Sequence, residues 1–109
     1  MEHFTEEVIR IIKSIPEGKV MTYGQIGKAA GKARAARQVS RILHSMSKKY
    51  DLPWHRVISA DGRLKIRDDE TRNEQQERLY EEGLEILDGR VDLEEYRYEP
   101  KMGEGNSVQ

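Results

Sequence analysis

Apolar residues recur in the N-terminal stretch at helical rather than strand spacing. Between Glu6 and Ile15, the positions Val8, Ile9, Ile11, Ile12 and Ile15 follow close to an i, i+3, i+4, i+7 pattern, which predicts a helix with one buried stripe. Thr5 is its expected N-cap, Glu6 and Glu7 suit the electropositive first turn, and Pro16 stops it before a Glu17-Gly18 turn. A second helix start is written into Thr22-Tyr23-Gly24-Gln25. Thr22 and Gln25 have the spacing of a capping box, and Met21 and Ile26 fill the two places of a hydrophobic staple. Gly31 ends this short helix. Tyr23 thereby takes the first helical position, where it either lies on the helix surface or meets a phosphate beside free backbone N–H groups.

Ala33 to Lys48 predicts a longer helix with divided faces. At about 100° per residue, Arg34, Arg37, Gln38, Arg41, Ser45 and Lys48 share one arc, and Ala35, Ala36, Val39, Ile42, Leu43 and Met46 fill the opposite one. A short helix, a glycine turn and a basic helix make a helix-turn-helix, the second helix being the reader. Farther on, Val57-Ile58 and Leu64-Lys65-Ile66 flank Asp61-Gly62 as a small hairpin or wing. Asp68 and Asp69 cap a helix running to about Glu82 and closed by Gly83. Leu84, Ile86 and Leu87 return to the core, Asp88-Gly89 turns the chain, and Leu93, Tyr96 and Tyr98 pack as a last short segment. The expectation is a mostly α fold with a small β wing. It is a winged helix-turn-helix in a single domain over residues 1–100, followed by a disordered tail over 101–109.

Charge changes the picture more than composition does. Hydrophobic and charged residues each make up 36% of the 109 residues, enough for one modest core. The mean hydropathy of −0.86 leaves no apolar window that could span a membrane. Met1-Glu2-His3-Phe4 has neither the basic nor the apolar region of a signal peptide, so a cytoplasmic, monomeric protein is expected. The net charge of −1 hides a strong segregation. Residues 19–67 hold 12 Lys and Arg against Asp51 and Asp61, a net +10, whereas residues 68–109 carry −9. A solvated face is the commoner meaning of one charged stripe, but the stripe on the second predicted helix has no acid to balance it. The middle of the chain is built to meet phosphates.

Candidate chemistry gathers in Pro53-Trp54-His55-Arg56-Val57, where an indole, an imidazole and a guanidinium are consecutive. The chain has no Cys, which excludes disulfides, thiolate metal sites and thiol nucleophiles. His3, His44 and His55 are too scattered for a metal-ligand spacing, so no metal or other cofactor is expected. The pentapeptide resembles the Pro-Cys-His-Arg-Val active-site sequence of the O6-alkylguanine-DNA alkyltransferases. Ile15-Pro16-Glu17-Gly18-Lys19-Val20-Met21-Thr22-Tyr23 is similar to that family's Ile-Pro-x-Gly-x-Val-x-Thr-Tyr stretch, and Ala35-Ala36-Arg37-Gln38-Val39 to its Ala-Ala-Arg-Ala-Val helix start. Three blocks in the family's order, across about Ile15 to Gly83, make the resemblance specific. It resembles the alkyltransferase-like proteins, in which the Cys is replaced, commonly by Trp.

The resemblance implies a non-enzymatic protein that binds O6-alkylguanine in double-stranded DNA, flips it, and flags it for nucleotide excision repair proteins. Trp54 takes the place of the nucleophile, and His55 and Glu82 match the His and Glu that activate the thiol in that family. Arg37 would be the finger that enters the stack, Tyr23 would crowd the 3′ phosphate, and the basic helix would lie in the minor groove. Tyr23, Trp54, His55 and Arg67 would form the lesion pocket, with Arg34, Arg37, Gln38, Arg41, Ser45 and Lys48 beside Tyr23 on DNA. Arg56 reads as a structural brace. His55 is either a relic of the relay or scaffold, and scaffold is favoured. The rivals are a sequence-specific winged-helix regulator and a hydrolytic dealkylase using His55 and Glu82.

Overall fold

The computed structural model of the protein describes residues 1–100, so the expected tail over 101–109 lies outside the described residues. Helix α1 spans His3–Lys13, one turn earlier than the sequence pattern predicts. Phe4 is the reason: it is buried with Val8, Ile11 and Ile12, and so extends the apolar stripe toward the N-terminus. Glu2 rather than Thr5 stands at the N-cap, and no side chain caps the helix. The C-terminal end falls two residues before the expected Ile15, with Ser14 at the C-cap and Pro16 two residues beyond.

Strand β1, Met21–Thr22, runs directly into helix α2, Tyr23–Ala29. Both bonds of the capping box are formed: Gln25 N donates to Thr22 Oγ1 at 3.1 Å, and Thr22 N donates to Gln25 Oε1 at 3.2 Å. Helix α3 spans Ala36–Tyr50, beginning three residues later than the face pattern predicts. Arg34 lies in the left-handed region at φ 64°, so residues 33–35 belong to the turn and not to the helix. Gly27 sets how closely α2 meets the turn that leads into α3. A Cβ there would come within 3.2 Å of Ala35 Cβ and 3.3 Å of the Lys32 carbonyl oxygen.

Strand β2, Val57–Ile58, pairs with β1 in parallel, Met21 opposite Val57 and Thr22 opposite Ile58. The expected partnership of Val57-Ile58 with residues 64–66 is therefore corrected. After the Asp61-Gly62 turn the chain pairs instead with the region of Arg90: Leu64 N donates to Gly89 O, and Val91 N donates to Gly62 O. The antiparallel hairpin is β3, Ile86–Leu87, against β4, Arg90–Val91, around Asp88-Gly89. Helix α4 spans Asp69–Glu81 with Asp68 as its cap, as the sequence predicts, and a short α5 spans Leu93–Tyr96.

The parallel ribbon divides two buried clusters. Met21 and Val57 face the cluster formed with α1, α2 and α3, whereas Val20 and Ile58 face the one formed with Leu64, Leu79, Leu84, Ile86 and Val91. Successive strand side chains point to opposite faces, so a two-residue strand can serve both cores when both faces are covered. The chain after α5 then straps the ribbon, Tyr98 N donating to Val20 O and Val20 N to Tyr96 O. Among the described residues no helix is long and apolar enough to cross a membrane.

Gly62 couples the turn to the hairpin. It has φ 83°, and a Cβ there would run into the Val91 carbonyl oxygen. We expect Gly62→Ala to destabilise the protein by about 2–3 kcal/mol, from the left-handed backbone and the collision together. The denaturant midpoint at unchanged slope is the measurement.

Candidate nucleic-acid and base-binding cleft

Trp54 sits on a single 3-10 turn, Trp54–Arg56, between α3 and β2. Two adjoining cavities open beside it, and Tyr23, Ser40 and Ile66 line both. The smaller, about 380 Å3, also takes in Trp54, His44, Asp68 and Thr71. The larger, about 660 Å3, includes Arg37, Ser59, Arg63 and Lys65. The capping box places Tyr23 between them. Burial pushes the Tyr23 phenol above its ordinary pKa, so at neutral pH it remains a hydrogen-bond donor.

Trp54 is half-buried, its ring edge-on to His55 at 6.2 Å and its face under the Arg78 guanidinium at 5.6 Å. One part of its indole is packed while another lines the smaller cavity, which gives that cavity an apolar wall suited to a planar base or an alkyl group.

The predicted basic stripe on and before α3 is displayed. Arg34, Arg37, Arg41, Ser45 and Lys48 are exposed and Gln38 is half-buried. None of the four stripe cations is ion-paired among the described residues. Arg34, Arg37, Gln38 and Arg41 surround a shallow cleft of about 540 Å3, and Arg37 lines this as well as the larger cavity beside Tyr23. Arg37 thus stands where the basic surface meets the pocket. Ser45 and Lys48 lie farther along α3 and line neither cavity.

Two face assignments are corrected. Ala36 is exposed rather than in the core and lines both the basic cleft and the larger cavity, while Met46 is only half-buried. With α3 beginning at Ala36, its pocket-side flank is Ala36, Ser40, Leu43, His44 and Ser47. The sequence reading missed Ser40, His44 and Ser47. Their signal was the i, i+4, i+7 spacing of small and polar residues on the arc next to the cations. Arg67 is exposed and lines neither cavity, although Ile66 and Asp68 on either side of it line the smaller one.

His55 does not line the cavities either, contrary to the expected pocket, because its ring turns inward. Its Nε2 lies 2.7 Å from Glu82 Oε2, and its Nδ1 is buried without a hydrogen-bond partner. Arg56 braces the same carboxylate: Nε lies 3.0 Å from Oε1 and Nη2 lies 2.7 Å from Oε2, while Nη1 donates to the Ile15 carbonyl at 2.9 Å. Gly18 N donates to Glu82 Oε1 at 3.0 Å. Burial works against ionising Glu82, but the bonds from Arg56, Gly18 and His55 outweigh it and hold the pKa at about 2. Burial also lowers the His55 pKa below its ordinary value, against the opposite pull of Glu82. His55 is then a neutral ring at pH 7, its Nε2–H donating a hydrogen bond to an ionised carboxylate. Among the described residues no cluster of His, Asp or Glu is arranged to hold a metal ion.

On acidification the unfolded chain takes up the Glu82 proton before the folded one does. The stabilisation is therefore complete above about pH 4.5 and lost as the pH falls toward 2. His55 acts in the same direction below about pH 6.5, since its folded form resists protonation. We expect Glu82→Gln to cost on the order of 3 kcal/mol at pH 7, by leaving Arg56 without its counter-charge. The deficit should shrink on acidification, and urea unfolding of both proteins from pH 7 to pH 3 measures it.

Known proteins share this architecture. A DNA base-flipping protein of Escherichia coli (strain K12) is 37% identical over 97 residues, covering 89% of this chain and 75% of that protein. Alkyltransferase-like protein 1 of Schizosaccharomyces pombe is 36% identical over 106 residues, covering 92% of this chain and 98% of its own. The crystal structure of the S. pombe protein in complex with damaged DNA containing O6-carboxymethylguanine matches this fold with a TM-score of 0.81, at 36% identity over 92% of this chain and 98% of that one. Residues 3–84 match the family described as 6-O-methylguanine DNA methyltransferase, DNA binding domain. The helix-turn-helix, the cleft beside Trp54 and these matches together make the chain a member of that family and of its alkyltransferase-like group.

Proposed function

We propose that the protein binds O6-alkylguanine in duplex DNA, turns the damaged nucleotide into the cleft between Tyr23 and Trp54, and leaves it chemically unchanged. One observation carries the reading: the cavity that Tyr23 shares with the basic surface continues into one walled by an indole, in a chain without Cys. Displacement at an alkyl carbon needs a nucleophile, and an indole N–H only donates. Recognition needs the base out of the stack, and alkylation at O6 weakens pairing with cytosine, which makes extrusion of damaged guanine cheaper than that of intact guanine.

In this reading Arg37, at the junction of basic surface and pocket, fills the vacated stack, and Tyr23 crowds the adjoining phosphate. Arg34, Gln38, Arg41, Ser45 and Lys48 meet the backbone, with exposed Ala36 permitting the close approach of α3 to a minor groove. Trp54 contacts the base or its alkyl group, and Arg67 closes the lip. His55 and Glu82 are scaffold. A hydrolytic role would need His55 to reach water in the pocket, but its free nitrogen is buried and its other is held by Glu82. The bound, flipped lesion then serves as a flag for nucleotide excision repair, in the cytoplasm.

The test is binding to duplexes identical except for one O6-methylguanine. We expect preference for the damaged duplex, no mass gain on the protein and intact O6-methylguanine in the recovered DNA. A methyl group on the protein, or lost from the DNA, would overturn the non-enzymatic reading, and equal affinity for both duplexes would overturn lesion recognition. We also expect Arg37→Ala to lower affinity for the damaged duplex more than Lys48→Ala does, because Lys48 supplies one screened phosphate contact. Titrations of both variants against the damaged duplex check the order.

A further inference from the structure

The chain that leaves the Asp61-Gly62 turn alternates in burial: Arg63, Lys65 and Arg67 are exposed, Leu64 is buried, and Ile66 is half-buried. Arg63 and Lys65 both approach Asp61 Oδ2, so these two cations lie together. Both line the larger cavity together with Tyr23 and Arg37. Arg63 is fixed from behind, because its backbone bridges to Arg90 and its neighbours Gly62 and Leu64 are hydrogen-bonded to Val91 and Gly89. The pair is anchored to the hairpin through the backbone around Arg63.

In the free protein a single carboxylate occupies both cations. Asp61 Oδ2 lies 3.1 Å from Lys65 Nζ and 3.7 Å from Arg63 Nε, and all three side chains are about half exposed. Exposed pairs of this kind add little to stability. Nor does the turn need the charge, since its Asx hydrogen bond runs from Arg63 N to Asp61 Oδ1 at 3.1 Å and an Asn oxygen could accept it equally. What the arrangement does is keep two cations compensated until a stronger anion arrives.

We infer that Arg63 and Lys65 form a second contact with the DNA backbone, across the cavity from α3, and that Asp61 competes with the phosphates for them. The inference rests on the cleft being where a nucleotide of duplex DNA is received. A nucleotide entering a cavity brings its two flanking phosphates to the rim. Arg37 supplies positive charge on one wall, and this pair supplies it on the other. Since the pair touches the backbone and not a base edge, damaged and undamaged duplexes gain from it alike.

The experiment titrates the full chain, Arg63→Gln, Lys65→Gln, the double variant and Asp61→Asn with the duplex pair across a salt series. Each lost cation should flatten the dependence of log K on log salt by about one, on both duplexes. Asp61→Asn should tighten binding to both by about two- to fivefold at low salt, the range of an exposed ion pair. A double variant with the wild-type slope would overturn the contact, and Asp61→Asn with unchanged affinity would overturn the competition. Gln at these exposed positions leaves the core untouched, and thermal unfolding checks that. Wild-type protein that binds both duplexes equally, with slopes that still fall, would sink lesion recognition and leave the backbone contact standing.

Discussion

Three distant stretches of chain are tied together at the Glu82 carboxylate. It receives the backbone of Gly18 from the turn after α1, the guanidinium of Arg56 and the imidazole of His55 from the 3-10 turn, and it belongs itself to the end of α4. Arg56 extends the knot by reaching the Ile15 carbonyl. Burying a carboxylate is unfavourable by itself, and the penalty is met only because nearly every lone pair is used. The result is a rigid floor beneath Trp54. Both hydrophobic clusters depend on it, because the turn it fixes leads straight into β2, whose Val57 and Ile58 belong to one cluster each.

Above that floor the cleft has walls of different origin. α2 contributes Tyr23, whose place follows from four residues of local sequence. α3 contributes the cations and, on its pocket side, Ser40, His44 and Ser47. The third wall comes from the loop after β2 and the start of α4, and it is pinned by the hairpin at residues 86–91. The acidic C-terminal half therefore supports the basic middle mechanically: Gly89 and Val91 hold the segment that carries Arg63 and Lys65.

What the sequence revealed and what it hid divide along the range of the interactions. The Thr22–Gln25 box, the Asp68 cap and the glycine ends of α2 and α4 are local, and each stands where the residues predict. The start of α3 was misjudged because nothing in Lys32-Ala33-Arg34 announces a left-handed Arg34. That shift turned Ala36 outward and hid the pocket-side flank. The partner of Val57-Ile58 was misjudged for a different reason. An Asp-Gly turn between apolar pairs predicts a hairpin, but Met21-Thr22 and Arg90-Val91, far off in sequence, compete for the same edges and win. Trp54, His55 and Arg56 were legible as a constellation, yet consecutive positions do not tell which side chain faces the cleft and which the core.

That division of labour has a consequence for substitution. His55 and Arg56 point into the knot and carry its stability, while Trp54 packs one part of its side chain and lends the other to the cleft wall. The surface offered to the cleft and the integrity of the knot are thus assigned to adjacent residues. A change of side chain at 54 therefore alters the cleft wall while the bonds of His55 and Arg56 to Glu82 stay in place. A change at His55, Arg56 or Val57 would instead strand a partner elsewhere in the chain, Glu82 for the first two and Met21 for the third.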